Sequence, residues 1–184
     1  DRDTGYQADM NGNGSTDIVW STPSAAVDQR LQYLDVVGDL RPNLLIAVEN
    51  GMGKTLQLRY TSTGAAFQEA RESGQPWATR VPFPVQVVSE SILLDGLGHQ
   101  YVTGYRYRDG WYAAETREFR GFAQAVTTEL GDSNEATAVR VHQFDLGQTG
   151  EVRKGLPLVT EVRTETGALL QRETYVYSVR SYAT

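Results

Sequence analysis

The feature that most constrains this chain is a pair of alternating runs joined by Asp-Gly. Residues 101–108, Tyr-Val-Thr-Gly-Tyr-Arg-Tyr-Arg, precede Asp109-Gly110, and Trp111 to Phe122 follow. Alternation with period two places successive side chains on opposite faces of a strand. Asp-Gly tolerates the positive φ that a type I′ turn requires, so the pattern predicts a hairpin turning at Asp109-Gly110. Counting outward, Arg108 would face Trp111, Tyr107 would face Tyr112, Tyr105 would face Ala114 and Tyr101 would face Glu118. One face would then be a tyrosine ladder.

The same punctuation recurs along the chain. Strands are expected at Leu31 to Val37, Leu44 to Val48, Lys54 to Thr61, Val85 to Leu94, Ala123 to Leu130, Ala138 to Phe144, Leu156 to Thr164 and Leu169 to Tyr182. Residues 21–30, with Pro23, read as a linker, and Asp145 to Gly155 as a polar loop. Only Ala65 to Ser73 has helix formers at helical spacing, ended by Gly74-Gln75-Pro76. Trp77 to Pro84 is an extended, proline-stiffened strip, expected along the edge of its own sheet. The fold class is therefore all-β: antiparallel hairpins forming a large curved sheet, with at most one short helix. Strand order is not readable at this level.

Composition bounds the function classes. With 184 residues the chain can bury roughly 70% of its unfolded surface, enough for its own core. The formal charge of −6, from 23 acidic and 17 basic residues without long runs, offers no basic stripe for a phosphate backbone, so no nucleic acid partner is expected. No apolar run approaches the roughly 20 residues that span a bilayer, and direct membrane insertion is not expected. With no Cys, disulfides, thiolate metal sites and cysteine nucleophiles are excluded. The chain begins without Met or a signal-like segment and reads as a piece of a longer protein.

Near the N-terminus, Asp9-Met10-Asn11-Gly12-Asn13-Gly14-Ser15-Thr16-Asp17 precedes the apolar Ile18-Val19-Trp20. Oxygen-bearing side chains at Asp9, Asn11, Asn13 and Asp17, with the Ser15 carbonyl and glycines that let the backbone turn sharply, suit one Ca²⁺. Only Asp9 and Asp17 are charged, so weak binding is expected. The plainer reading is an Asn/Gly-rich turn before a strand.

Other motifs weigh against catalysis. Gly51-Met52-Gly53-Lys54-Thr55 looks like the end of a phosphate-binding loop, but Val48 stands where the first glycine belongs. Leu56 to Thr61 then alternates as a strand, in place of the helix whose N-terminus would hold phosphate. His99 and His142 have no second histidine or carboxylate at metal spacing. The acids Glu115 with Glu118, and Glu161 with Glu165, meet the minimal need of a glycosidase for two carboxyls. Set among Arg106, Arg108, Arg117 and Arg120, the first pair reads more economically as cross-strand ion pairing.

Several blocks in order resemble one family. They are Asn43-Leu44-Leu45, Asn50-Gly51-Met52-Gly53, Pro76-Trp77-Ala78-Thr79-Arg80-Val81-Pro82-Phe83-Pro84-Val85-Gln86-Val87-Val88, Tyr105 and Tyr107 with Gly110, and Arg117-Glu118-Phe119-Arg120-Gly121-Phe122. Together they resemble the middle region of the B component of bacterial Tc insecticidal toxin complexes, related to Rhs/YD-repeat proteins. Residues 9–17 with the following strand resemble a single FG-GAP (integrin α-type propeller) repeat, which fits, since a β-propeller precedes this region in that family. The agreement runs over roughly residues 5 to 130. Ala113, Ala114 and Ala123 depart from the family pattern around the hairpin.

The resemblance implies residues 1–22 as the end of an FG-GAP-like repeat and 23–184 as an antiparallel β shell domain. It implies a non-enzymatic segment of a shell that encapsulates a toxic polypeptide, secreted or at the cell surface of a bacterium. Its partners would be other segments of the same toxin chain and a C-type component, and unpaired edges would let the isolated piece self-associate. The rival readings are a surface adhesion or carbohydrate-binding β-domain using Tyr and Trp rings, and, last, a hydrolase using paired acids.

Overall fold

A computed structural model of the chain describes residues 4–21, 31–38, 43–178 and 180. The regular elements among the described residues are two antiparallel sheets, one α-helix and a short 3₁₀ turn at Glu151–Arg153. The small sheet is β1 (Thr4–Ala8), β2 (Asp17–Ser21) and β3 (Leu31–Leu34), in that order. The large sheet holds β4 (Ala47–Glu49), β5 (Thr55–Ser62), β6 (Gln86–Leu94), β7 (Gln100–Ala113), β8 (Glu118–Glu129), β9 (Ala138–Asp145), β10 (Leu156–Thr164) and β11 (Leu169–Thr174). Its spatial order follows the chain without a crossover, from β4 at one edge to β11 at the other, and it stays open. Most of the linker expected over 21–30 and the boundary expected at residue 22 lie outside the described residues.

Local chemistry explains where elements stop. β3 ends earlier than its apolar run because Asp35 accepts hydrogen bonds from the N–H groups of Val37 (3.1 Å) and Gly38 (2.7 Å), turning the chain. α1 (Thr63–Glu72) starts on Ser62, whose side chain accepts from the N–H of Ala65. β11 is shorter than the alternation suggested. Its ladder ends beside Tyr175, whose N–H donates to the Leu158 carbonyl.

The hairpin turn at Asp109-Gly110 is overturned. β7 runs on through both residues, and the chain reverses at residues 114–117, with Ala113 opposite Glu118. Gly110 faces Phe122, Tyr107 faces Ala125 and Tyr105 faces Thr127. Asp109 does take positive φ, at 56°, but bends a strand rather than reversing it. Between Gly110 and Tyr112 the register slips by one, with the extra residue carried by β8 beside Gly121, whose φ is 89°. The predicted tyrosine ladder does not form: Tyr107 packs on Phe122 with ring centroids 4.9 Å apart, Tyr112 on Phe83 at 5.1 Å, and Tyr105 bonds to Ser91.

β6 pairs with β7 only from Gln100 to Gly104. Beyond Gly104 that side of β7 is a local edge, and the strip Gln75 to Pro84 lies against it. The N–H of Ala78 donates to Asp109 Oδ1, Thr79 Oγ1 to the Gly110 carbonyl (2.9 Å), and Arg108 to the Gln75 and Pro76 carbonyls (2.9 and 3.2 Å). Trp77, 7% exposed, makes edge-to-face contacts with Phe67 of α1 (5.9 Å) and Phe122 of β8 (6.1 Å). This is the main apolar junction between helix, strip and sheet.

Elsewhere burial is thin. Among the described residues the other buried apolar side chains are Val19, Ile92 and Leu146, while Ile46, Leu97, Leu170 and Val176 are largely exposed.

Candidate functional site

The loop between β1 and β2 carries the five residues assigned to a cation, and the structure brings them together. Asp9 accepts from the N–H groups of Gly12 and Gly14, at 2.8 and 2.9 Å. Asp17 Oδ2 accepts from the N–H of Met10 at 2.8 Å, so both acids converge on the same turn. The Asn11 side-chain oxygen accepts from the N–H of Asn13, and that of Asn13 accepts from the N–H and hydroxyl of Ser15.

The donor set is compatible with a hard cation. Its side-chain ligands are oxygens, the class Ca²⁺ takes. Asp17 is fully buried, yet its Oδ1 has no hydrogen-bond partner. A buried acceptor left this way costs about 1–3 kcal/mol. Among the described residues no three His, Asp or Glu side chains converge on a metal position, so a cation here would depend on two carboxylates and neutral oxygens.

A residue that motif spacing did not indicate completes the arrangement. Asp35, in the turn after β3, accepts from Asn11 Nδ2 (2.8 Å) and Asn13 Nδ2 (3.1 Å) through one oxygen. The Gly38 N–H above all holds its carboxyl below the usual carboxylate range; desolvation opposes this, and the Val37 N–H and the Asn11 amide add to the lowering. Asp35-x-x-Gly38 marks a turn in the sequence, but its contact 22 to 24 residues back has no local signal.

Of the catalytic candidates, Glu118, Glu161, His99 and His142 are engaged in structural contacts. Glu161, 7% exposed, lies between Arg163 (2.6 Å) and Arg172 (3.3 Å). Glu118 bonds Lys154 at 2.8 Å, and this cation holds its carboxyl below the ordinary range. Arg120, largely buried, bonds Glu151 and the Gly147 carbonyl. Of the hairpin charges expected to pair across the strands, Glu118 and Arg120 instead pair along β8 and with Lys154 and Glu151 of the β9–β10 loop, while Arg108 bonds the carbonyls of Gln75 and Pro76. His99 bonds Asp95 at 2.6 Å beside a turn, and His142 stacks on Phe144. The phosphate-loop lookalike is the β4–β5 turn, closed by Asn50, which accepts from the N–H groups of Met52 and Lys54, and it runs directly into β5.

No helix among the described residues is long and apolar enough to cross a membrane. No curated protein matches the chain. Among solved structures, the Photorhabdus luminescens Tc holotoxin pore is similar at TM-score 0.76 and 19% identity, over 88% of this chain and 10% of that one. The crystal structures of TcdB2-TccC3-Cdc42 and TcdB2-TccC3 match at TM-scores 0.75 and 0.74, each at 20% identity, over 88% of this chain and 10% of theirs. The chain thus spans about a tenth of the chains it resembles, which share its fold. The family model of the insecticide toxin TcdB middle/N-terminal region matches residues 3–146, most of the chain, and the chain belongs to that family.

Proposed function

We propose that this chain is a non-enzymatic structural segment of a Tc-type toxin shell, which encapsulates a toxic polypeptide together with neighbouring segments of the same toxin chain and a C-type component. In this reading the assembly is secreted by, or displayed on, a bacterium. The observation that carries it is the open meander: among the described residues β4 and β11 each pair on one side only, and large apolar side chains such as Ile46 and Leu170 stay exposed. Such a sheet suits a wall continued by further hairpins. Glu118 and Glu161 serve ion pairs and His99 bonds the Asp95 turn, which suits a wall better than a catalyst. The test is protease protection: full-length toxin is assembled with its C-type component and a tagged cargo, then digested. Cargo that survives until the shell is denatured supports the proposal, and cargo cleaved as fast as free polypeptide contradicts it.

A second reading concerns Asp9, Asn11, Asn13, Ser15 and Asp17, which we take as a calcium site. The partnerless Asp17 Oδ1 favours it. The two asparagines and the Ser15 carbonyl would supply neutral oxygens around the two carboxylates. Calcium titration by calorimetry should give heat with the wild-type chain and none with Asp17→Asn; no heat with either removes the site.

A further inference from the structure

Residues 11–13 are held from two directions. The side-chain amides of Asn11 and Asn13 reach back to Asp35 of the small sheet. The carbonyls reach the other way: Gly12 O accepts from Ser62 Oγ, and Asn13 O accepts from Gln86 Nε2. Ser62 is the N-cap of α1 and Gln86 opens β6, so both belong to the helix and large sheet. The approach is close, since a β-carbon on Gly64 would lie 3.1 Å from the Gly12 carbonyl oxygen.

Asn11 and Asn13 lie in the same loop as Asp9 and Asp17, whose carboxylates accept from the N–H groups of Gly12, Gly14 and Met10. With the Asn11 and Asn13 amino groups tied to Asp35, their oxygens turn toward the loop, where they now accept from Asn13 and Ser15 N–H groups. The same backbone conformation points the Gly12 and Asn13 carbonyls outward, at Ser62 and Gln86. One loop conformation therefore serves the oxygen cage and the contact with the large sheet together. A ligand that binds only that conformation stabilises both contacts.

We infer that the Asp9 to Asp17 loop is a cation-dependent joint, through which calcium occupancy fixes the small sheet against the start of α1 and of β6, with Asp35 as its positioning residue. This rests on the calcium reading proposed above and adds what the site would control.

Hydrogen exchange on the full chain, with calcium chloride or with chelator, tests it. Two sets of amides are followed: Gly12 and Gly14, which bond Asp9, and Thr63 and Ala65, at the start of α1. At free calcium about ten times Kd, an opening that releases the cation becomes about tenfold rarer, so both sets should slow about tenfold. In Gln86→Ala the loop amides should still slow while those of Thr63 and Ala65 lose most of the effect. Asp35→Asn should bind calcium more weakly without losing the fold, seen as unchanged circular dichroism. Slowing confined to Gly12 and Gly14 in the wild type overturns the joint and leaves the site standing. No slowing at either set, with no calorimetric binding, removes the site and the joint together.

Discussion

A β-carbon placed on Gly110 would stand 2.5 Å from Cγ2 of Val81 and 3.2 Å from the Phe122 ring. The strip that crosses β7 at this point leaves room for a glycine alone. Neither neighbour withdraws easily, since Val81 is β-branched and Phe122 is clasped by Trp77, Tyr107 and Phe119. Gly110→Ala should therefore destabilise by about 1–3 kcal/mol, the usual cost of overpacking. Urea unfolding measures it, and an unchanged midpoint would mean that the strip does not sit on β7.

Trp77→Ala tests the same junction from its other side. The indole is buried between α1 and β8, and removing it should cost about 3–5 kcal/mol. Trp77→Phe keeps part of the contact and should cost less. Equal midpoints for the two variants in urea would show that the ring carries no packing there.

The salt bridge between Lys154 and Glu118 should contribute to the acid dependence of stability. Lys154 lowers the Glu118 carboxyl from its ordinary value of 4.5 in the folded chain. A depressed folded value stabilises above the unfolded value and is lost as pH falls through the folded one. The stabilisation is thus whole above pH 4.5 and disappears below it. Glu118→Gln should flatten the fall in Tm below pH 4.5, and a fall as steep as wild type would exclude this pair as a contributor.

Edge exposure should govern self-association. β11 is exposed along its whole length and displays Leu169 and Leu170 beside a free ladder. The isolated chain should form dimers or larger species in light scattering, and Leu170→Lys should reduce them. Strictly monomeric behaviour of the wild type at high concentration would contradict this.

Much of the architecture is legible in the sequence wherever local chemistry decides it. β10 spans Leu156 to Thr164 as its alternation predicts, and the helix begins two residues before Ala65 because Ser62 caps it. Asp109-Gly110 shows where local reading stops. The pair does supply a positive φ, but its polar groups are taken by Ala78 and Thr79, 31 residues away, and reversal passes to residues 114–117, where Arg117 takes φ 54°. The family blocks at Pro76 to Val88 and Arg117 to Phe122 are separate in the chain and meet in space at Trp77 and Phe122. The loop acids are visible from spacing, whereas Asp35, Ser62 and Gln86 reach that loop only through the fold.

The central claim is that this sheet is one slice of a longer wall. Hydrogen exchange along β11, in the isolated chain and in the full-length toxin, tests it most directly. The claim predicts that the outward amides of Leu169 to Thr174 exchange freely in the isolated chain and at least about tenfold more slowly in the full toxin, where a following strand would pair with them. Equal, fast exchange in both would contradict it.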